Sequence, residues 1–123
     1  MIDTKLLDSS LWIDFIINGK HKEIIEGNGL LYLSALSLFE IKKKLITKKY
    51  SIVDIEKGLN YIKEKSIIVQ VDAKIAEKAV QISVENKIPM ADSIIYTTAL
   101  MKQTKVHTLD NDFKNLKSSI VLK

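Results

Sequence analysis

Short apolar segments alternate with stretches of helical periodicity along almost all of this 123-residue chain, and this alternation strongly constrains its fold. The apolar segments have the composition of buried strands and lie at residues 4–7, 30–33, 67–69, 105–107 and 120–122. Parallel strands need a crossover connection, which is usually a helix. The pattern therefore predicts an α/β fold of three layers, in which a central, mostly parallel sheet of about five short strands is flanked by helices.

Capping residues and turns delimit the helices between these strands. A first helix is predicted to start at Ser9 or Ser10 and to stop at Gly19. A short polar helix follows before the turn Gly27-Asn28-Gly29. That short helix is predicted at residues 20–26. The remaining helices are predicted at residues 35–47, 51–64, 73–85 and 93–101. Because the chain has no repeat, linker or low-complexity tract, residues 1–123 are predicted to form a single domain.

Composition excludes several kinds of site. The chain has no cysteine, which excludes disulfides, thiolate metal sites and cysteine nucleophiles. All 19 basic residues are lysine, and the net charge of +4 is compatible with a nucleic-acid partner without requiring one. No secretory signal is recognisable, and no apolar run approaches the roughly 20 residues of a membrane helix. We therefore expect a cytoplasmic protein that makes no membrane contact.

Four acidic residues lie at or just beyond the ends of apolar segments: Asp8, Glu40, Asp92 and Asp110. Ligands of parallel sheets bind beyond the carboxyl ends of the strands, near the point where the strand order reverses. Carboxylates in apolar surroundings are costly unless a positive charge meets them, and hard divalent cations prefer oxygen ligands. Such cations can activate water and neutralise a phosphodiester during in-line displacement. The pattern predicts a divalent-metal site.

The four acidic residues belong to longer motifs. In chain order these are Leu6-Leu7-Asp8-Ser9-Ser10, Leu38-Phe39-Glu40-Ile41, Pro89-Met90-Ala91-Asp92-Ser93-Ile94-Ile95 and Thr108-Leu109-Asp110-Asn111-Asp112-Phe113. Their order and spacing resemble those of the PIN-domain family, above all its small VapC-like toxins of toxin–antitoxin pairs. The resemblance covers nearly the whole chain. It implies a PIN-like fold and a metal-dependent endoribonuclease, a hydrolase that uses Mg²⁺ or Mn²⁺ to cut RNA.

The resemblance also implies partners and roles for individual residues. Such toxins are usually homodimers held by a cognate antitoxin protein. Carried over by position, the catalytic and metal-binding residues would be Asp8, Glu40, Asp92 and Asp110. Thr108 would support the site by hydrogen bonding, and Asp112 would organise the loop or serve as an occasional outer-shell ligand. The chain lacks the arginine that many relatives place near the RNA or antitoxin surface, so the RNA path is not fixed by the resemblance.

Each acidic residue also has a purely structural interpretation. Asp8 and Asp92 could cap the helices that follow them. Glu40 could face water or pair with Lys44 four residues later. Asp110 could belong only to an Asx turn.

The surface lysines and the aromatic residues have two interpretations as well. Lys42, Lys43 and Lys44 could form a solvated helix face or could attract the RNA backbone. The aromatic rings are predicted to lie in the core and not to stack on bases. These rings belong to Trp12, Phe15, Phe39 and Phe113.

Two other functions stay open at the level of sequence. One is a catalytically silent PIN-fold module that binds RNA or a protein. The other is a metal-dependent phosphatase or phosphotransferase on a similar sheet. The aspartyl-phosphate type of the latter would place Asp-x-Asp after the first strand, where this chain has Asp8-Ser9-Ser10.

Overall fold

The computed structural model describes residues 2–122, which form five strands and six α-helices, with two helices after each of the first three strands. The strands are β1 (Thr4–Leu7), β2 (Leu30–Ser34), β3 (Ser66–Val69), β4 (Val106–Thr108) and β5 (Ser119–Val121). The helices are α1 (Ser9–Asn18), α2 (Lys22–Ile25), α3 (Ala35–Thr47), α4 (Ile52–Lys65), α5 (Ala73–Asn86) and α6 (Met90–Met101). A 3₁₀ turn (Asn111–Phe113) follows β4. Among these helices, none is long and apolar enough to cross a membrane.

The sheet has the strand order β3-β2-β1-β4-β5. All pairings between the described strands are parallel, so the prediction of an α/β sheet is confirmed and the sheet is more regular than expected. The order reverses at β1, whose neighbours are β2 on one side and β4 on the other. This reversal opens a crevice between the carboxyl ends of β1 and β4.

A hydrophobic core covers each face of the sheet. The adjacent residues Leu6 and Leu7 are both fully buried and point into different cores, as successive strand residues must. Leu7 packs with residues from α1, α2, α3 and α4, including Trp12. Leu6 packs with α6 and with Phe113 of the 3₁₀ turn. Helices therefore lie on both faces, which gives the three layers predicted from the sequence.

The start of α6 differs from the prediction in a way that matters for the site. The helix begins at Met90 and not at Ser93, because Pro89 is its N-cap and accepts a hydrogen bond from the Ser93 backbone N–H at 3.0 Å. Proline fixes a backbone angle that suits the helix start, and its missing N–H costs nothing there. Asp92 therefore lies within the first turn of the helix and does not cap it.

The other boundaries differ from the predicted ones by a few residues at most. β4 and β5 are each displaced by one position, and β2 extends to Ser34, whose side chain caps α3. α2 covers only Lys22–Ile25. Ends of elements depend on capping contacts that a periodicity does not specify.

Gly29 holds the turn that brings β2 beside β1. Its φ of +123° is one that side chains rarely adopt, and a Cβ there would lie 2.7 Å from the Asp3 carbonyl oxygen. The next residue, Leu30, donates its N–H to that same carbonyl at 2.9 Å. Glycine is therefore required at this position for the first pairing of the sheet.

Candidate metal site

The crevice between β1 and β4 contains the first and the last of the four acidic motifs. Asp8 directly follows β1, and its backbone N–H donates to the His107 carbonyl of β4 at 3.0 Å. Asp110 lies two residues after β4. α3 packs against α1 and presents Glu40, and the first turn of α6 presents Asp92. The structure thus brings all four acidic residues to one end of the sheet.

Asp8 is almost fully buried and is held on both carboxylate oxygens. Oδ1 accepts from the Ser9 backbone N–H at 2.7 Å, so Asp8 does cap α1. Oδ2 accepts from the Thr108 hydroxyl at 2.7 Å and from the Ser10 hydroxyl at 3.1 Å. The structural interpretation of Asp8 is therefore correct, and the same contacts fix the carboxylate beside the crevice.

The Thr108 hydroxyl connects Asp8 to the Asp110 loop. It donates to Asp8 and accepts from the Asp110 backbone N–H at 2.9 Å. The supporting position that the resemblance implied for Thr108 agrees with this geometry.

Ser10 makes a second connection of the same kind, which the sequence analysis did not identify. Its hydroxyl donates to Asp8 and accepts from the Leu109 backbone N–H at 3.0 Å. Because Ser10 lies in the first turn of α1, it ties that helix to the loop after β4. Its only signal in the sequence was that it follows Asp8 by two residues, which is equally typical of a helix cap.

Asp110 and Asp112 share a turn at the mouth of the crevice. Asp110 accepts from the Asp112 backbone N–H at 2.9 Å, which is the Asx turn considered above. Asp92, Asp110 and Asp112 can each place one carboxylate oxygen within 4.8 Å of the other two. Asp112, to which the resemblance gave the role of loop organiser or outer ligand, therefore belongs to this grouping. Asp8 and Glu40 are not part of it within residues 2–122.

Asp92 lies in strongly unfavourable surroundings for a negative charge. Burial raises its pKa to about 7, together with the charges of neighbouring carboxylates. Those carboxylates are, in decreasing order of effect, Asp110, Asp8, Asp112 and Glu40. Repulsion of this kind is what a bound cation would relieve.

Glu40 is partly buried and does not have the surface pairing that one interpretation gave it. Burial and then the charge of Asp8 raise its pKa, and the nearby Ser9 hydroxyl offsets part of this effect. Its Oε1 is buried and has no hydrogen-bond partner. Among the ion pairs of residues 2–122, none joins Glu40 to Lys44. An unpaired buried oxygen with carboxylates nearby fits a site for a cation.

The residues present fit a hard divalent cation. All the converging side chains offer carboxylate oxygens, which are the ligands that Mg²⁺ and Mn²⁺ prefer. Glu40 has an unsatisfied buried oxygen, and Asp92 is surrounded by like charge. A cation would remove both costs at once.

The prediction that all four aromatic rings lie in the core is wrong for Phe39, which lies next to Glu40. Phe39, expected in the core, is 65% exposed, because it lies on the same outer side of α3 as Lys42 and Lys43. Trp12 and Phe113 are buried as predicted, and Phe15 is partly buried. Lys42, Lys43 and Lys44 are exposed on the same helix, with Lys42 at 3.9 Å from Glu56.

The sequence profile of the PIN domain matches residues 5–118 of this chain. The chain belongs to the PIN-domain family. The match includes all four acidic motifs. No protein with a curated description matches the sequence significantly.

Solved structures with the same fold include several toxin–antitoxin proteins. A toxin–antitoxin complex from Klebsiella pneumoniae superposes with a TM-score of 0.80 at 21% identity, covering 95% of this PIN domain and 96% of that chain. VapBC2 from Rickettsia felis, bound to a DNA fragment of its promoter, gives 0.77 at 16% identity with 97% of each chain covered. VapC20 from Mycobacterium tuberculosis, a toxin that cleaves the sarcin–ricin loop, gives 0.76 at 15% identity, covering 97% and 98%. At such low identities the likeness establishes the fold.

Proposed function

We propose that this PIN-domain protein is a metal-dependent endoribonuclease of the VapC-like toxin class. The observation that carries the proposal is the convergence of mutually repelling carboxylates, most of them partly buried, with one buried oxygen of Glu40 left without a partner. Asp8, Glu40, Asp92 and Asp110 would hold Mg²⁺ or Mn²⁺, and Asp112 is close enough to Asp92 and Asp110 to join those two. A toxin acting on cellular RNA would work in the cytoplasm.

The side chains contribute through position and charge. Thr108 and Ser10 hold Asp8 against the Asp110 loop, so that the carboxylates of two separate segments are fixed relative to each other. A bound divalent cation supplies charge neutralisation on the phosphodiester and a more acidic water. Without that cation, the carboxylates would repel an RNA phosphate, which makes cleavage conditional on metal.

The relatives support RNA as the substrate and an antitoxin as a partner. VapC20 cleaves an RNA loop, and the Klebsiella pneumoniae and Rickettsia felis structures are toxin–antitoxin assemblies. On this basis we propose that a cognate antitoxin binds the present chain.

We also propose a homodimer, formed through the exposed apolar side of α5 and α6. Val80, Val84 and Met90 are 60%, 72% and 73% exposed there, and together they line a hollow of about 260 Å³. Contiguous exposed apolar surface is typical of an interface. If the dimer forms there, Val84→Glu should yield a monomer in light scattering without a change in circular dichroism.

Metal removal and restoration test the proposed activity. We expect the purified protein to cut a mixed pool of structured and single-stranded RNA with Mg²⁺ or Mn²⁺, to stop with excess chelator, and to resume when metal is added back. Folded protein that binds RNA but cuts none of the pool with either metal would contradict the proposal and favour the catalytically silent module. Hydrolysis of small phosphate esters with no cutting of RNA would favour a phosphatase.

A further inference from the structure

An exposed aromatic ring lies immediately beside the carboxylate site. Phe39 precedes Glu40 on α3, and while Glu40 turns toward the crevice, the Phe39 ring is 65% exposed. Large aromatic side chains usually contribute their area to a core or an interface. An exposed phenylalanine next to a partly buried glutamate of the site therefore suggests that the ring contacts a ligand.

A single surface hollow connects the ring to the site. This hollow, of about 320 Å³, is lined by Phe39, Glu40, Lys43, Lys44 and Thr47. A ligand in it would touch both Phe39 and Glu40. The hollow therefore meets the candidate metal site at Glu40, the one site carboxylate among its lining residues.

Positive charge surrounds the ring. The Lys43 Nζ lies 5.9 Å from the centroid of the Phe39 ring, within the range of a cation–π contact. Neither Lys43 nor Lys44 has a carboxylate within 4.0 Å in the part of the chain that is described. These ammonium groups are thus available to an anionic ligand, and the ring beside them offers a flat apolar surface.

We propose that Phe39 is a stacking platform for an unpaired base of single-stranded nucleic acid, and that Lys43 and Lys44 bind the adjoining phosphates. Base–aromatic stacking beside a basic groove is the general means of binding single strands. The platform would place the neighbouring phosphodiester at the carboxylates. This inference rests on the proposed nuclease function and adds to it which strand form is selected and by which residue.

A second hollow beside Phe39 suggests another kind of occupant. Phe39, Lys42, Lys43, Ile46 and Thr47 line it, and Ile46 is 54% exposed. An apolar protein segment would fit there, but it would have no reason to contact Glu40. We favour nucleic acid because the lysines and the carboxylate site meet at the hollow on the Glu40 side.

Binding measured without cleavage tests the platform. In chelator at low salt, we expect Phe39→Leu to weaken binding of a labelled oligoadenylate by roughly tenfold or more, in the range measured for lost stacking. Phe39→Tyr should stay within about twofold, because its ring still stacks. Binding of a duplex RNA should change little in either variant, since its bases are already paired.

Tyr50→Leu is the matched control. Tyr50 is 37% exposed and follows the end of α3, but it lines a different hollow, with Ile16 and Leu45. We expect this variant to bind oligoadenylate as the unaltered protein does. Phe39 is exposed, so its substitution should leave the circular dichroism spectrum unchanged.

Two results would overturn the platform. One is oligoadenylate affinity in Phe39→Leu equal to that of the unaltered protein, which would leave this face to a protein partner. The other is an equal loss in Phe39→Tyr and Phe39→Leu. These results are distinguishable from failure of the nuclease proposal. If only the platform is wrong, metal-dependent cutting of RNA persists. If only the nuclease proposal is wrong, the protein cuts no RNA but its binding of oligoadenylate still depends on Phe39.

Discussion

At the scale of single residues, Asp92 sets the electrostatic balance of the site. Burial and the surrounding carboxylates raise its pKa to about 7 from 3.8. The folded chain then keeps the Asp92 proton at pH values where the unfolded chain has lost it. Between these two values the metal-free protein loses stability as the pH rises, and above about 7 the loss is complete.

We therefore predict that Asp92→Asn stabilises the metal-free protein, and more at pH 8 than at pH 5. After allowance for solvent screening, the gain at pH 8 should be on the order of 1–2 kcal/mol, a few degrees in Tm. Thermal unfolding of both proteins in chelator, at pH 5 and pH 8, measures it. Added Mn²⁺ should reverse the order, because it stabilises only the protein that binds it well. A Tm difference that does not depend on pH would refute this account of Asp92.

Ser10 offers a prediction about positioning. Ser10→Ala removes a donor to Asp8 and the acceptor of the Leu109 N–H, so we expect a loss of roughly 1–3 kcal/mol in stability. We also expect weaker Mn²⁺ binding, measured by calorimetric titration, because Asp8 and the Asp110 loop are no longer tied together. The control is Ser51→Ala, which removes the N-cap of α4 at a cost of about 1 kcal/mol and lies away from the site. Unchanged Mn²⁺ affinity in Ser10→Ala would rule out a positioning role.

At the scale of elements, periodicity carried most of the information. The bounds of α3 were predicted correctly, and those of α4 and α5 differ by one residue, because their apolar positions recur at helical spacing between clear caps. α6 was misplaced at its start because Pro89, a poor side-chain cap, begins it. The four acidic residues were proposed from the sequence because each lies at or just past the end of an apolar segment. The role of Ser10 and the exposure of Phe39 were not predicted. A serine near a helix start has the same local pattern whether it caps the helix or supports a site. An aromatic residue on a helix likewise has the same local pattern whether it lies in a core or at a site.

The turn into β2 gives a prediction at this scale. Gly29→Ala should destabilise the fold by about 3 kcal/mol or more, because φ is +123° and the new Cβ would meet the Asp3 carbonyl at 2.7 Å. Gly19→Ala is the matched comparison, since Gly19 has φ of +70° but no atom within 4 Å of a new Cβ. Its cost should be about 1–2 kcal/mol. Urea unfolding of both variants tests this, and equal losses would mean that the close approach to β1 is unimportant.

At the scale of the whole molecule, a net charge of +4 carried entirely by lysine makes recognition of a phosphate backbone electrostatic. Such binding weakens with salt in proportion to the number of phosphates neutralised. Of the lysines on α3, Lys43 and Lys44 share a hollow with Glu40, whereas Lys74 and Lys78 lie on α5.

We predict that replacing both Lys43 and Lys44 with glutamine weakens the salt dependence of binding to single-stranded RNA. The negative slope of log affinity against log salt should become shallower by about 1.4, which is 0.7 for each lost phosphate contact. The control has the same charge change on α5, with Lys74 and Lys78 replaced by glutamine, and its slope should not change. If the α3 and α5 double variants changed the slope equally, RNA would be attracted by the net charge of the protein and would not bind along a defined surface of α3.

We have proposed that the converging carboxylates hold the cation with which the protein cuts RNA. The most direct test is Mn²⁺-dependent cleavage of a structured RNA pool by Asp92→Asn beside Asp72→Asn. Asp72 caps α5 through the Ile75 N–H, and asparagine can cap equally well. The account predicts that Asp72→Asn cuts like the unaltered protein and that Asp92→Asn, though folded, loses at least 100-fold in rate, the order of magnitude of losing an electrostatic contribution to the transition state. Cleavage by Asp92→Asn at the unaltered rate would contradict it.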